Sequence, residues 1–348
     1  MIRISDKFIG LDYRPFIIAE MSGNHNQSLE RALEIVEIAA TTGVHVLKLQ
    51  TYTADTITLD VEDREFFIED QTSLWQGKSL HQLYTEAHTP WEWHERIIAR
   101  AHELGMLCFS TPFDETAVDF LEDLNVSAYK IASFENTHVP LIKKVASTGK
   151  PMIISTGMAT LAELDETVRT IRGMGCEQFA LLKCTSSYPA SPEDSNVLTI
   201  PHMRKIFNCE VGLSDHTMGL GAAVAAVAHG ATIIEKHFTL RRADGGVDSA
   251  FSLEPDEMQQ LVIETERAWQ AIGKVEYDFT EAEKGSFTFR RSLYIAKNMK
   301  AGEELTPKSL RVVRPGLGLS PKYYEVLLGR RVKKDVKKGI PVSWNLIR

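Results

Sequence analysis

The chain has 348 residues, 43% hydrophobic and 25% charged, an ordinary globular balance that excludes collagen-like, low-complexity and disordered classes. Lys and Arg number 39 against 47 Asp and Glu, a formal net charge of -8, so no global field gathers nucleic acid or anionic membrane. Any anionic substrate must therefore be held by a few local cations, and no nucleic-acid or membrane partner is expected.

The N-terminal MIRISDKFIG lacks a long apolar run. The most apolar later stretch, Gly221 to Ile234, is too short for a span and contains His229. Neither a secretion signal nor a membrane span is expected. Cys108, Cys176, Cys184 and Cys209 form no C-x-x-C pair and read as reduced thiols, which points to the cytoplasm.

Short β-branched runs alternate with segments of helical period along most of the chain. Strands are expected at FIIAE (16–20), VLKLQT (46–51), LCFSTP (107–112), AYKIAS (128–133), PMIIST (151–156), FALLKCT (179–185), EVGLSD (210–215) and TIIEKHF (232–238). Helical segments such as SLERALEIVEIAATTG, LAELDETVRTIRGMG and PDEMQQLVIETERAWQAIG lie between and after them, several ending in a Gly C-cap. Eight such units match a (β/α)8 TIM barrel. A doubly wound open sheet would place a glycine-rich phosphate turn after the first strand, where this chain reads EMSGNHNQS.

The segment Ala54 to Thr89 is too long for a plain connection and predicts an excursion over one barrel end. After Gly273 the pattern stops. Residues 274–290 read as a polar linker, and 291–348, with SLYIA, LRVVRP and VKKDV between turn signals, as a small mostly β domain. The expected division is a catalytic barrel over 1–273, the linker, and the small domain.

Barrel active sites lie at the C-terminal ends of the strands, and here those ends are polar: Glu20; Lys48 and Gln50; Ser110 and Thr111; Lys130, Ser133 and Glu135; Ser155 and Thr156; Thr185, Ser186 and Tyr188; Ser214, Asp215 and His216; Glu235 and His237. Any single Ser or Thr there is more simply a cap, but a lysine inside an apolar strand is costly unless paired. Lys48 and Lys130, with Thr111, Ser133, Ser155 and Ser214, therefore predict a cradle for a phosphate or carboxylate. His216 and His237 close neighbouring strands and suit a divalent ion such as Mn2+, with Mg2+ or Co2+ as alternatives; structural zinc would need further ligands. His25 reads as positioning the first loop. Glu20 and Glu135 are the carboxylates available for proton transfer, and the residues alone do not choose between them.

IIAEMSGNHNQSLE, VLKLQT, FSTPFD, AYKIASFE, KPMIISTGMAT, KCTSSYPAS, VGLSDHT and IEKHF, with RVVRPGLG near the C-terminus, make the chain resemble the sialic acid synthase family almost end to end. The resemblance implies condensation of phosphoenolpyruvate with an aldose on a metal-dependent barrel, and a C-terminal antifreeze-like (SAF) domain. It also implies a homodimer in which that domain reaches over the partner's active site. Carried over by motif, Lys48, Lys130, Ser133, Ser155 and Ser214 would bind phosphoenolpyruvate, and His216 and His237 the metal. Glu20, Gln50, Tyr188 and Asp248 would face the sugar, which Arg314 would reach from the other subunit. Two positions depart from the common pattern: Ser186 stands where N-acetylneuraminate synthases usually carry Asn, and Gln27 replaces the Gly of the N-H-x-G turn.

AEMSGNHNQSLE, KCTSSYP and VDSAFSL look most like the family's pseudaminic acid branch, whose sugar is 2,4-diacetamido-2,4,6-trideoxy-L-altrose. That sugar lacks a 6-hydroxyl, which implies a pocket less polar at one end; Phe66, Phe67, Trp75 and Tyr84 are candidates for its walls, although such aromatic residues are more often simply packing. The alternatives are an N-acetylneuraminate or legionaminate synthase on the same fold, a Schiff-base aldolase using Lys130 or Lys48, and a non-enzymatic carbohydrate- or ice-binding role for the terminal domain.

Overall fold

A computed structural model describes residues 1–71 and 73–348, which divide into two compact units, Met1–Gly273 and Lys274–Arg348. In the first, the antiparallel hairpin β1 (Ile2–Ile4) and β2 (Lys7–Ile9) precedes eight parallel strands. These are β3 (Phe16–Glu20), β4 (Val46–Thr51), β5 (Leu107–Pro112), β6 (Tyr129–Ile131), β7 (Met152–Ser155), β8 (Phe179–Cys184), β9 (Glu210–Asp215) and β10 (Ile233–His237). They follow one another around a closed barrel, β10 returning to β3, so the expected TIM barrel is the fold. The strands are buried on both faces, which is why they read as apolar runs rather than alternating ones.

The covering helices are α1 (Leu29–Thr42), α4 (His94–Glu103), α5 (Glu115–Asp123), α6 (Val139–Ser147), α7 (Leu161–Gly173), α8 (Thr199–Phe207), α9 (Gly221–Ala228) and α10 (Pro255–Ile272). The excursion between β4 and α4 carries two more, α2 (Ala54–Ile57) and α3 (Leu80–Ala87). Local chemistry sets their ends. Ser28 accepts the Arg31 amide at the start of α1, and Gly43, at φ 85°, stops it in the left-handed conformation that glycine enters without strain. Ile35, Val36 and Ala39 of α1 are fully buried beneath it, and each large aliphatic side chain so placed contributes about 1.5–3 kcal/mol. The hairpin sits at the opposite end from the strand C-termini: Arg3 N–H donates to Gln178 before β8, and the Met1 amine pairs with Glu210 at the start of β9, 2.9 Å apart.

Several expected strands are trimmed by a residue or more, and one does not form. AYKIAS keeps only Tyr129–Ile131 as strand, because Ser133–Glu135 turns into a single 3-10 turn at the barrel end. In Lys274–Arg348, β11 (Ser292–Ile295) pairs antiparallel with β12 (Leu310–Val313), but VKKDV forms no strand: Val332 and Val336 make single bridges to Ile347 and Met299. This unit has its own core, Leu293, Ile295, Met299, Leu305, Leu310 and Val332 among its buried members, and a short helix α11 (Tyr324–Leu327). All four cysteines are free, and among the described residues no helix is long and apolar enough to cross a membrane.

Candidate active site

Residues in or just beyond all eight barrel strands line one cavity of about 570 Å³. The strand register explains the convergence. Lys48 and Gln50 alternate with Leu47 and Leu49, which are buried against the helices, so the polar pair faces inward together. Glu20 stands beside both Lys48 and His237, and Glu235 beside Ser214.

The charged groups form an alternating chain. Glu20 pairs with Lys48, whose ammonium also donates to Thr111 Oγ1 at 3.3 Å and lies 3.7 Å from Glu235 Oε1. Glu235 Oε1 lies 3.3 Å from Lys130 Nζ and accepts from Ser214 Oγ at 3.2 Å, while Lys130 donates to Ser155 Oγ at 2.7 Å. Burial alone pushes a lysine down. It lowers Lys130, whereas Glu20 and Glu235 hold Lys48 above the usual range in spite of it. Burial would likewise raise Glu235, but the two lysines keep its carboxyl below the ordinary carboxylate range. Two buried cations with three hydroxyls around them can bind an anion carrying both phosphate and carboxylate.

Ser133 completes that side. Its hydroxyl accepts the Gly157 amide at 3.1 Å, and a Cβ on Gly157 would collide with the hydroxyls of Ser186 and Ser133, so only glycine allows the approach. Glu135 lines the cavity nearby. Burial lifts it to about 7 against the pull of Lys130, and its Oε2 is buried without a hydrogen-bond partner. Glu20 is also lifted by burial, but it is tied twice, to Lys48 and, through Oε1, to the Ser22 amide at 2.9 Å.

His216 and His237 both open onto the cavity, ring centroids 5.4 Å apart. His216 Nδ1–H donates to the Thr185 carbonyl at 3.0 Å, which leaves Nε2 with its lone pair. Burial would lower His216, but Cys184 and the Thr185 carbonyl keep it above its ordinary value and so make the ring a better donor. His237 is held neutral, pushed far down by burial and by His216, and its Nδ1 is buried with no hydrogen-bond partner. Two imidazoles open onto one cavity, His237 held neutral with its Nδ1 unpartnered, and together they fit a divalent ion. Among the described residues no group of three His, Cys, Asp or Glu side chains stands ready to hold a metal, so the remaining ligands would be water or substrate oxygens.

The other expected residues fall as follows. Gln50 lines the cavity, the Tyr188 ring lies tilted beside His216 with centroids 4.5 Å apart, and Asp248 receives a hydrogen bond from Ser22 and lies 3.7 Å from His237 Nδ1. Arg314 belongs to the second unit, just after β12. His25 is buried apart from this group, bonded to Thr89 Oγ1 at 3.1 Å and to the Gln27 amide at 3.1 Å, and so shapes the first loop. Of the candidate aromatic walls Trp75 and Tyr84 line the cavity, whereas Phe66 and Phe67, at and just after the 3-10 turn Arg64–Phe66, do not; Ile57, Ile68, Leu80 and Leu83 line it as well. Asp70 and Ser73 from the same excursion also reach the lining. Sequence reasoning gave Glu235 no role, although it lies two residues before His237 on one strand face and links both lysines.

The chain is similar to known proteins over nearly its whole length. The model of the NeuB family matches residues 35–277 and that of the SAF domain residues 290–348. Pseudaminic acid synthase of Campylobacter jejuni is 42% identical over 328 residues, 94% of this chain and 95% of that protein. Pseudaminic acid synthase of Helicobacter pylori is 40% identical over 331 residues, 94% and 96% respectively. Among solved structures, N-acetylneuraminic acid synthetase of Leptospira borgpetersenii, in complex with citrate, superposes with a TM-score of 0.73 at 30% identity, covering 82% of this chain and 94% of that one.

Proposed function

The chain belongs to the NeuB family, and from that premise we propose that it is a pseudaminic acid synthase. It condenses phosphoenolpyruvate with 2,4-diacetamido-2,4,6-trideoxy-L-altrose and water to give pseudaminic acid and phosphate. Full-length likeness to two pseudaminic acid synthases supports the sugar. The observation that carries the chemistry is the meeting of Lys48, Lys130, His216 and His237 in one cavity.

In this reading Lys48 and Lys130, with Thr111, Ser133, Ser155 and Ser214, hold the phosphate and carboxylate of phosphoenolpyruvate and aim its C3 at the sugar aldehyde. Gln50, Tyr188 and Asp248 orient the sugar. His216 and His237 would hold a divalent ion, Mn2+ in first place with Mg2+ or Co2+ as alternatives, whose Lewis acidity favours addition to an aldehyde. After the C–C bond forms, water adds at C2, Glu135 Oε2 takes the water's proton, and phosphate leaves as the tetrahedral centre collapses. Glu20 keeps Lys48 in place, since both its oxygens are engaged.

The reading also takes the chain to be a cytoplasmic homodimer, in keeping with its free thiols, with the SAF domain of each subunit supplying Arg314 to its partner's site. Phosphate release with phosphoenolpyruvate and Mn2+ decides the function across a panel of three aldoses. Turnover is expected with the diacetamido-trideoxy altrose, well above the precursors of N-acetylneuraminic and legionaminic acids, and its loss in EDTA. EDTA-resistant activity with borohydride trapping of pyruvate on Lys130 or Lys48 would overturn the scheme in favour of a Schiff-base aldolase.

A further inference from the structure

The two walls of the cavity differ in kind. Strand ends supply ammonium groups, carboxylates, hydroxyls and imidazoles on one side; the excursion between β4 and α4 supplies the other, where Asp70 and Ser73 reach the lining beside a run of apolar side chains. Helix α3 reads L-x-x-L-Y-x-x-A, so Leu80, Leu83, Tyr84 and Ala87 recur at i, i+3, i+4 and i+7 and share one face, and all four line the cavity. Ile57 of α2 and Ile68 of the loop extend the same surface. Tyr84 is braced edge to face against Tyr52, ring centroids 5.8 Å apart. A helical face with this spacing normally packs on a core, whereas this one packs on a cavity that must admit a sugar. Water is held poorly there, and a ligand methyl gains what a hydroxyl loses.

We infer that the α3 face with Ile57 and Ile68 is the specificity element of the site, receiving the methyl-bearing end of the sugar: its C6 methyl and the methyl of its C4 acetamido group. The surface selects a 6-deoxy over a 6-hydroxy aldose, because a 6-hydroxyl set against its aliphatic side chains, Ile57, Ile68, Leu80 and Leu83, would lose water without gaining a partner from them. The inference rests on the diacetamido-trideoxy sugar being the substrate. Nothing in it calls on the lysines or the histidines, so discrimination and chemistry are separable by mutation.

The test compares kcat/KM, with phosphoenolpyruvate and Mn2+ present, for the 6-deoxy sugar and its 6-hydroxy counterpart. The unmodified enzyme is expected to prefer the 6-deoxy sugar by on the order of 100-fold, the range an apolar pocket reaches against an added hydroxyl. Leu80 is half-buried in the first turn of α3, behind a capping box of Ser79 and Gln82, so Leu80→Gln leaves the helix start intact. It and Ile68→Thr are expected to bring the ratio toward unity through the sugar KM, with the KM for phosphoenolpyruvate unchanged. Ala87→Leu, which fills the surface without adding a polar group, should raise the KM for the 6-deoxy sugar. An unmodified enzyme that uses neither sugar but accepts N-acetylmannosamine overturns the substrate on which the inference rests. Equal use of both sugars, or variants that are active and keep the full preference, overturns the inference alone.

Discussion

Glu135 and Glu20 are both lifted by burial, yet their surroundings give them different work. Glu135 Oε2 faces the cavity with no partner, while Glu20 is pinned by Lys48 and the Ser22 amide. A base must be deprotonated to accept a proton, so kcat/KM is expected to rise with pH through about 7, the value to which burial lifts Glu135. Glu135→Gln should lower kcat by about 10²–10⁴ and flatten that limb, with phosphoenolpyruvate affinity retained. Wild-type kcat in this variant would place the proton elsewhere. The same shift has a stability counterpart: between its ordinary 4.5 and about 7 the folded chain holds a proton that the unfolded chain has released, so this group's contribution fades as pH rises through that window.

Strand β10 divides its residues between two tasks. Glu235 and His237 face the cavity, while Lys236, fully buried on the other side, pairs with Asp215 of β9 at 2.8 Å and donates to the Thr217 carbonyl. Lys236→Ala would leave a buried carboxylate uncompensated, at an expected loss of about 3–5 kcal/mol, read as a lower urea midpoint with unchanged slope. An unshifted midpoint would show that Asp215 is satisfied by the Thr217 amide alone. At this scale the strands were legible because a parallel barrel strand is an apolar run ending in polar residues, and the two lysines stood out against it. Glu235 was visible as a strand-end carboxylate, but its place between two lysines depends on the register of β9 and β10, which no single strand displays. The walls were only half legible for a related reason: α3 has the same periodicity whether its face meets a core or a cavity, and an aromatic cluster does not show which of its members, here Trp75 and Tyr84 but not Phe66 and Phe67, reach the cavity.

Over the whole molecule the charge is divided unevenly. Lys274–Arg348 carries 17 Lys and Arg against 8 Asp and Glu, and Met1–Gly273 carries 22 against 39, so net charges of +9 and -17 underlie the modest overall figure. In the homodimer proposed above, attraction between units of opposite sign on the two copies would add to association. Salt should weaken that attraction, so the dimer dissociation constant is expected to rise with ionic strength. Mixing inactive Arg314→Ala and His237→Ala subunits should restore about a quarter of the sites, because half the dimers are mixed and each holds one intact barrel beside one intact Arg314. No recovery on mixing would place Arg314 in its own subunit's site or outside catalysis.

The excursion between β4 and α4 is inserted into the barrel, and it leaves the strands and their register whole. The lysines and histidines proposed to hold phosphoenolpyruvate and the metal ion are anchored in the barrel strands and at their ends, while the face proposed to choose the sugar belongs to one insertion. Such an arrangement lets lineages trade one sugar for another by rewriting some thirty-six consecutive positions, 54–89, without rebuilding the catalyst, and it offers an engineer the same cassette.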